Sequence, residues 1–237
     1  MLQIKNLSVK VGEKQILNQI SFDFETGKNY CILGKNGSGK SSLAMTLAGN
    51  PKYEISEGEL LLDGHSLKEM SPDERNRAGI FLTFQNIPEV PGVKLFEFLK
   101  TIYDARAEKP STFLEFKKII EPLMAELEIE KAFLWRDLNV GFSGGEKRKI
   151  EVLQIKLLKP KYIILDEIDS GLDVNAVRQV AELLKAVNTQ ENSFIVITHL
   201  FEMLQELPLE KILVLEHWKI KAIGGRELME QVRKEGF

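Results

Sequence analysis

Apolar and polar positions alternate near the start of the chain. In residues 20–25, Ile20, Phe22 and Phe24 fall on one face and Ser21, Asp23 and Glu25 on the other, the period of a half-buried strand. Gly27 punctuates it. Residues 30–33 are short and nearly all apolar, as in a strand covered on both faces. A glycine-rich stretch follows at 34–39, and 41–48 has a helical pattern. Residues 59–67 predict a strand closing in a turn at Asp63-Gly64. Ser71-Pro72-Asp73-Glu74 combines a capping box with proline at the first helical position, so a helix starts there. Residues 79–84 predict another strand, ending at Gln85. Residues 86–92 hold two prolines and a glycine and predict a loop.

From about Val93 to Leu134 the pattern turns helical. Phe113, Phe116, Ile119, Ile120, Leu123 and Leu127 recur at helix spacing, Thr112 and Glu115 form a second capping box, and Pro122 predicts a kink or break near Glu121. The α/β rhythm then resumes, with buried strands at 162–165 and 194–198. Between them Val177, Val180, Leu184 and Val187 mark an amphipathic helix. A further strand is expected at 212–215 and a last helix at 226–234. The pattern is that of an α/β domain carrying a helical insertion.

Composition narrows the class. The 237 residues are 43% apolar and 28% charged, ordinary globular usage. The net charge of −3 and the lack of a basic tail argue against a dedicated nucleic-acid binder. One cysteine excludes a disulfide framework and a four-thiolate metal site, and Cys31, inside an apolar strand, is expected to be a small buried hydrophobe. No apolar run approaches the roughly 20 residues that span a bilayer, and the first ten residues lack a signal-peptide segment. The expectation is a cytoplasmic protein without direct membrane insertion.

Three segments carry chemistry. Residues 34–41 match G-x-x-x-x-G-K-[ST] in full, between a strand and a helix. Gly34, Gly37 and Gly39 permit backbone conformations that turn N–H groups of Gly34, Lys35, Asn36, Gly37, Ser38 and Gly39 toward an anion. Lys40 is placed to bridge β- and γ-phosphates, Ser41 to ligate Mg²⁺, and Ser42 to reach the α-phosphate. Residues 162–167 are an apolar strand ending in Asp166 and Glu167. Asp166 is placed to hold Mg²⁺, and Glu167 to orient or deprotonate an attacking water. Ser143-Gly144-Gly145-Glu146 opens a strongly helical run and makes a second anion-binding helix end. One ATP needs only one phosphate loop, so the second suggests two chains sandwiching the nucleotide.

With these three motifs in order, the chain resembles the ATP-binding-cassette ATPases, whose signature is close to L-S-G-G-Q. Phe142 stands here for the leucine and Glu146 for the glutamine. Details at 47–60, 84–93, 139–149 and 166–173 resemble the SufC-like branch that serves iron–sulfur cluster assembly, although Ile168 stands where that pattern usually has serine. The resemblance implies a mixed, mostly parallel core sheet with an antiparallel β subdomain and an α-helical subdomain, the core at 1–92 and 155–237 and the helices at about 93–154. It implies ATP and Mg²⁺ as ligands. Gln85 would sense the metal and the γ-phosphate, and His199 would be the switch histidine beside Glu167. Ser143, Gly144, Gly145, Glu146 and the D-loop residue Asp173 would reach the nucleotide of a second copy in a transient ATP-bound homodimer. Implied partners are SufB- and SufD-like scaffold proteins docking near 85–105, with Phe96, Phe98, Leu99 and Ile102 as candidates. Val11 precedes Gly12 where many cassettes carry an aromatic that stacks on adenine. Lys147 or Arg148 is expected to pair with Glu167 at rest. The same ATP residues also suit a subunit of a membrane transporter.

Overall fold

A computed structural model describes residues 1–168, 174–198, 204 and 207–236. The chain divides into two compact units. One comprises residues 1–83, 160–168 and 188–237; the other comprises residues 84–159 and 169–187.

The first unit holds two sheets. The antiparallel sheet has the order β2(Lys14–Phe24)-β1(Leu2–Val11)-β4(Glu54–Leu62)-β5(His65–Ser66). The expected alternation of β2 is present, with Ile20 and Phe24 buried and Ser21 and Asp23 exposed. Asp63 and Gly64 both take positive φ, as the tight β4–β5 hairpin requires. The second sheet has the order β12(Lys219–Gly224)-β11(Leu209–Glu216)-β3(Asn29–Leu33)-β10(Ser193–Ile197)-β9(Tyr162–Asp166)-β6(Ile80–Thr83). Five strands run parallel, and β12 returns antiparallel to β11. β3, β9 and β10 are buried throughout, which explains their unbroken apolar runs. β12 alternates exposed and half-buried positions and lacks such a run, so its pattern did not announce it. The Tyr162 hydroxyl joins the two sheets: it accepts from the Leu2 N–H at 3.0 Å and donates to the Phe24 carbonyl at 2.9 Å. Helices α1(Lys40–Ala48) and α2(Pro72–Ala78) also belong here, α2 with the capping box expected at Ser71 and Glu74. Cys31 is fully buried in β3, where burial pushes its thiol pKa up.

The second unit gathers α3(Leu95–Asp104), α4(Phe113–Glu126), α5(Gly144–Leu158) and α6(Val174–Val187), with a short 3-10 helix at Lys131–Trp135. Thr112 and Glu115 cap α4 as expected. Two expectations are met only in part here. Pro122 does not break α4, which runs on to Glu126. Pro122 and Lys118 both lie on the solvent side, where the carbonyl that a proline leaves without its donor is open to water. Residues 86–92 are not loop throughout, because Val90–Lys94 forms β7 and pairs with β8(Asp137–Leu138). The pairing is irregular: the Gly92 N–H donates to the Asp137 carboxylate rather than to a strand carbonyl. The docking candidates Phe96 and Leu99 are core residues, 3% and 0% exposed. In α6, Val177, Val180, Leu184 and Val187 are buried as their spacing predicts. The last helix, α7(Arg226–Glu235), returns to the first unit.

Candidate functional site

The glycine-rich loop joins β3 to α1, and its conformation follows from its glycines. Gly34, Gly37 and Gly39 take φ of 152°, 79° and 109°, which side chains rarely tolerate. At Gly34 space matters as well, because a Cβ would lie 2.4 Å from the Leu215 carbonyl oxygen and 2.6 Å from Ser38 Oγ. Gly39 caps α1 without a side-chain hydrogen bond, and the first turn carries no acidic residue. The helix thus keeps its positive end and its first N–H groups for an anion.

Lys40 is 5% exposed, and its ammonium donates to the carbonyls of Gly34 at 2.8 Å and Lys35 at 3.2 Å. The loop is therefore folded around the cation. Burial lowers the Lys40 pKa, while Glu167 and Asp166 oppose that shift with their charge. The same carboxylates appear from the other direction: burial raises the Asp166 pKa, and a hydrogen bond from Ser41 counters it. Ser41 Oγ donates to Asp166 Oδ1 at 3.1 Å. Thr83, which sequence reasoning passed over, sets the end of β9. Its hydroxyl accepts from the Asp166 N–H at 3.3 Å and donates to the Ile164 carbonyl at 3.2 Å. Glu167 follows with φ 47°, in the left-handed region that costs an ordinary side chain energy, and its N–H bonds the Ile197 carbonyl at 2.8 Å. A strained backbone at a strand end, carrying a carboxylate beside a buried lysine, marks a candidate functional position.

A magnesium ion suits this group. Ser41 and Asp166 offer hard oxygen donors already drawn together. That is the donor set of an ion held by a carboxylate, a hydroxyl and substrate phosphates.

In the helical unit, Ser143 is the N-cap of α5. Its hydroxyl accepts from the Glu146 N–H at 3.3 Å, and the Glu146 carboxylate accepts from the Ser143 N–H at 2.6 Å. That bond is the leading cause of the lowered Glu146 pKa. Glu146 is thus turned back onto the cap, while Gly144 and Gly145 are exposed.

One turn further along α5, Arg148 and Glu151 form a nearly buried ion pair at 2.6 Å. Arg148 donates to the carbonyls of Phe84 at 2.8 Å and Gln85 at 3.3 Å, and Glu151 accepts the Phe84 N–H at 2.9 Å. The pair therefore fastens the backbone at Gln85, whose side chain is exposed, to the helix that Ser143 opens. Lys147 pairs with Glu89 at 2.8 Å. The charges expected to hold Glu167 are taken up inside this unit instead. The i,i+3 spacing of Arg148 and Glu151 was the available signal for their pairing.

Arg136 was also missed. Its guanidinium carbon lies 4.7 Å from the Phe133 ring centre and 4.4 Å from that of Phe142, and it donates to the Val140 and Gly141 carbonyls. It clamps the turn leading into Ser143. Arg136→Ala is expected to destabilise the protein by about 1–2 kcal/mol through lost stacking and carbonyl bonds. Urea unfolding measures this, and an unchanged midpoint would rule the clamp out. His199 and Asp173 lie outside the described residues.

Comparison with known proteins shows what the chain is similar to. The family model described as ABC transporter matches residues 17–170. The probable ATP-dependent transporter ycf16 of Antithamnion sp. is 41% identical, covering 100% of this chain and 96% of the relative. The probable ATP-dependent transporter SufC of Escherichia coli (strain K12) is 38% identical, covering 100% and 97%. Among solved structures, the dimeric post-hydrolysis state of the ATP-binding cassette MJ0796 bound to ADP and Pi superposes with a TM-score of 0.79. It is 21% identical and covers 94% of this chain and 98% of that one.

Proposed function

Because the chain belongs to the ATP-binding-cassette family and is an ATP hydrolase of its SufC-like branch, we propose that it is the ATPase subunit of a cytoplasmic iron–sulfur cluster assembly complex. The observation that carries this reading is end-to-end similarity to a SufC protein, 100% of this chain and 97% of that one, with the phosphate loop and strand-end carboxylates assembled around Lys40. Among the described residues no helix is long and apolar enough to cross a membrane.

In this mechanism ATP lies in the loop from Gly34 to Gly39, with the N–H groups of Lys35, Asn36 and Gly37 and the start of α1 facing its phosphates, while the Ser38 N–H is held by the Lys35 carbonyl at 3.1 Å. Lys40 exchanges its loop carbonyls for the β- and γ-phosphates, and Ser42 reaches the α-phosphate. Ser41 and Asp166, with Gln85, would hold Mg²⁺, which when bound neutralises charge developing on the phosphate oxygens. Glu167 takes a proton from the attacking water as its oxygen bonds to the γ-phosphorus. The bond to the β–γ bridging oxygen breaks, leaving ADP and phosphate. His199 orients this water and Glu167.

Ser143, Gly144, Gly145, Glu146 and Asp173 of a second copy close the site, in support of which MJ0796 is described as dimeric in its ADP- and Pi-bound state. Hydrolysis then reopens the pair and moves a SufB- or SufD-like scaffold. Co-purification tests the assignment: a homologous scaffold should accompany the chain, and a permease should not. Recovery of a permease alone would favour the transporter reading, in keeping with relatives named as probable ATP-dependent transporters.

A further inference from the structure

The hairpin between β11 and β12 ends beside the phosphate loop, and nothing in the reading above uses it. Its turn residues His217 and Trp218 both take positive φ, 46° and 66°. At that conformation glycine costs little and a bulky side chain costs much. Trp218 is nevertheless kept there and held fast. Its N–H donates to the Ser38 carbonyl at 3.2 Å, and its carbonyl accepts from the Asn18 N–H at 2.9 Å. Trp218 as a whole remains 37% exposed, with the Lys14 ammonium 6.0 Å from its ring centre. Lys14 pairs across its hairpin with Val11, the position that lacks an aromatic ring.

A cavity of about 210 Å³ lies between this turn and the loop. Trp218, His217, Glu216, Lys35, Asn36 and Ser38 line it. Ser38 is 5% exposed, and its hydroxyl has no hydrogen-bond partner among the described residues. A buried hydroxyl left in that state calls for a polar ligand atom.

Strand order supplies the direction. Ser41 meets Asp166 at the end of β9, two places from β3 on one side, and Trp218 follows β11, next to β3 on the other. A triphosphate with its β- and γ-phosphates at Lys40, Ser41 and Asp166 sends its nucleoside away from β9, toward Trp218.

We propose that the Trp218 turn is the nucleoside subsite of this ATPase, with the indole as stacking platform for the base and the Ser38 hydroxyl as a partner for a polar atom of the nucleoside. The proposal rests on the reading that the phosphate loop holds ATP. It gives the site the aromatic surface that Val11 does not supply.

The test uses the full chain carrying Trp135→Phe, which leaves Trp218 as its one tryptophan. Adding Mg²⁺-ATP should change Trp218 emission saturably, at the concentration that half-saturates binding. In the same background Trp218→Gly, which suits the turn's backbone, should weaken ATP binding roughly tenfold while tripolyphosphate binds as before. Trp218→Phe should retain most of the ATP affinity. Unchanged ATP affinity in Trp218→Gly, or equal loss of ATP and tripolyphosphate, would overturn the proposal. Failure of the parent protein to bind tripolyphosphate, with ATP affinity indifferent to Lys40→Ala, would overturn the phosphate-loop reading and this proposal with it.

Discussion

Glu167→Gln is expected to cut ATP turnover by roughly 10²–10⁴-fold while leaving ATP bound, the range for loss of a positioned general base. The amide keeps the shape and length of the carboxylate, and the backbone conformation at φ 47° is secured by the bond to the Ile197 carbonyl, so the strand end should survive the change. What disappears is the ability to accept a proton. Because ATP would then persist between two copies, the variant should accumulate as a dimer with ATP and Mg²⁺ and fall apart with ADP. Steady-state phosphate release measures the first effect and multi-angle light scattering the second. Full turnover in this variant would remove Glu167 from the role of base. Lost turnover with a strictly monomeric, ATP-loaded chain would instead disprove the two-copy site.

Much of this candidate site is legible in the sequence, because its residues are close together along the chain. Residues 34–41 lie in one loop, and Asp166 and Glu167 are adjacent, so spacing alone places them. The same holds for the caps at Ser71 and Thr112, each written within four residues, whereas the capping box at Ser143 and Glu146 was read only as a helix opening. The missed features are side-chain contacts that no periodicity writes, some of them between distant segments. Thr83 matters because β6 lies beside β9, and no periodicity in 79–84 encodes that neighbour. Arg136 is one arginine among many until Phe133 and Phe142 are seen against it. β7 was hidden by Pro91 and Gly92, residues that normally end strands; a bulged edge pairing accepts them because Asp137 replaces a ladder carbonyl. Phe96 and Leu99 show the opposite limit. Their spacing suits a docking face and a core face equally, and only burial separates the two.

Lys40→Ala should weaken ATP binding by about 10²-fold or more. The ammonium is buried, and truncating one partner of a buried charge pair commonly costs about 2–5 kcal/mol. The side chain also has a second role in the free protein, since it satisfies the carbonyls of Gly34 and Lys35. Its removal therefore carries a folding cost separate from the binding cost, and the two must be measured apart. Thermal unfolding without nucleotide reports the first. Calorimetric titration with ATP and with AMP reports the second, because AMP lacks the β- and γ-phosphates that Lys40 is assigned to grip. A loss confined to ATP would tie the lysine to the outer phosphates. Equal loss for both nucleotides, together with a large fall in melting temperature, would make Lys40 a structural prop of the loop. Unchanged ATP affinity in a folded Lys40→Ala variant would refute the assignment of residues 34–41 as the phosphate site.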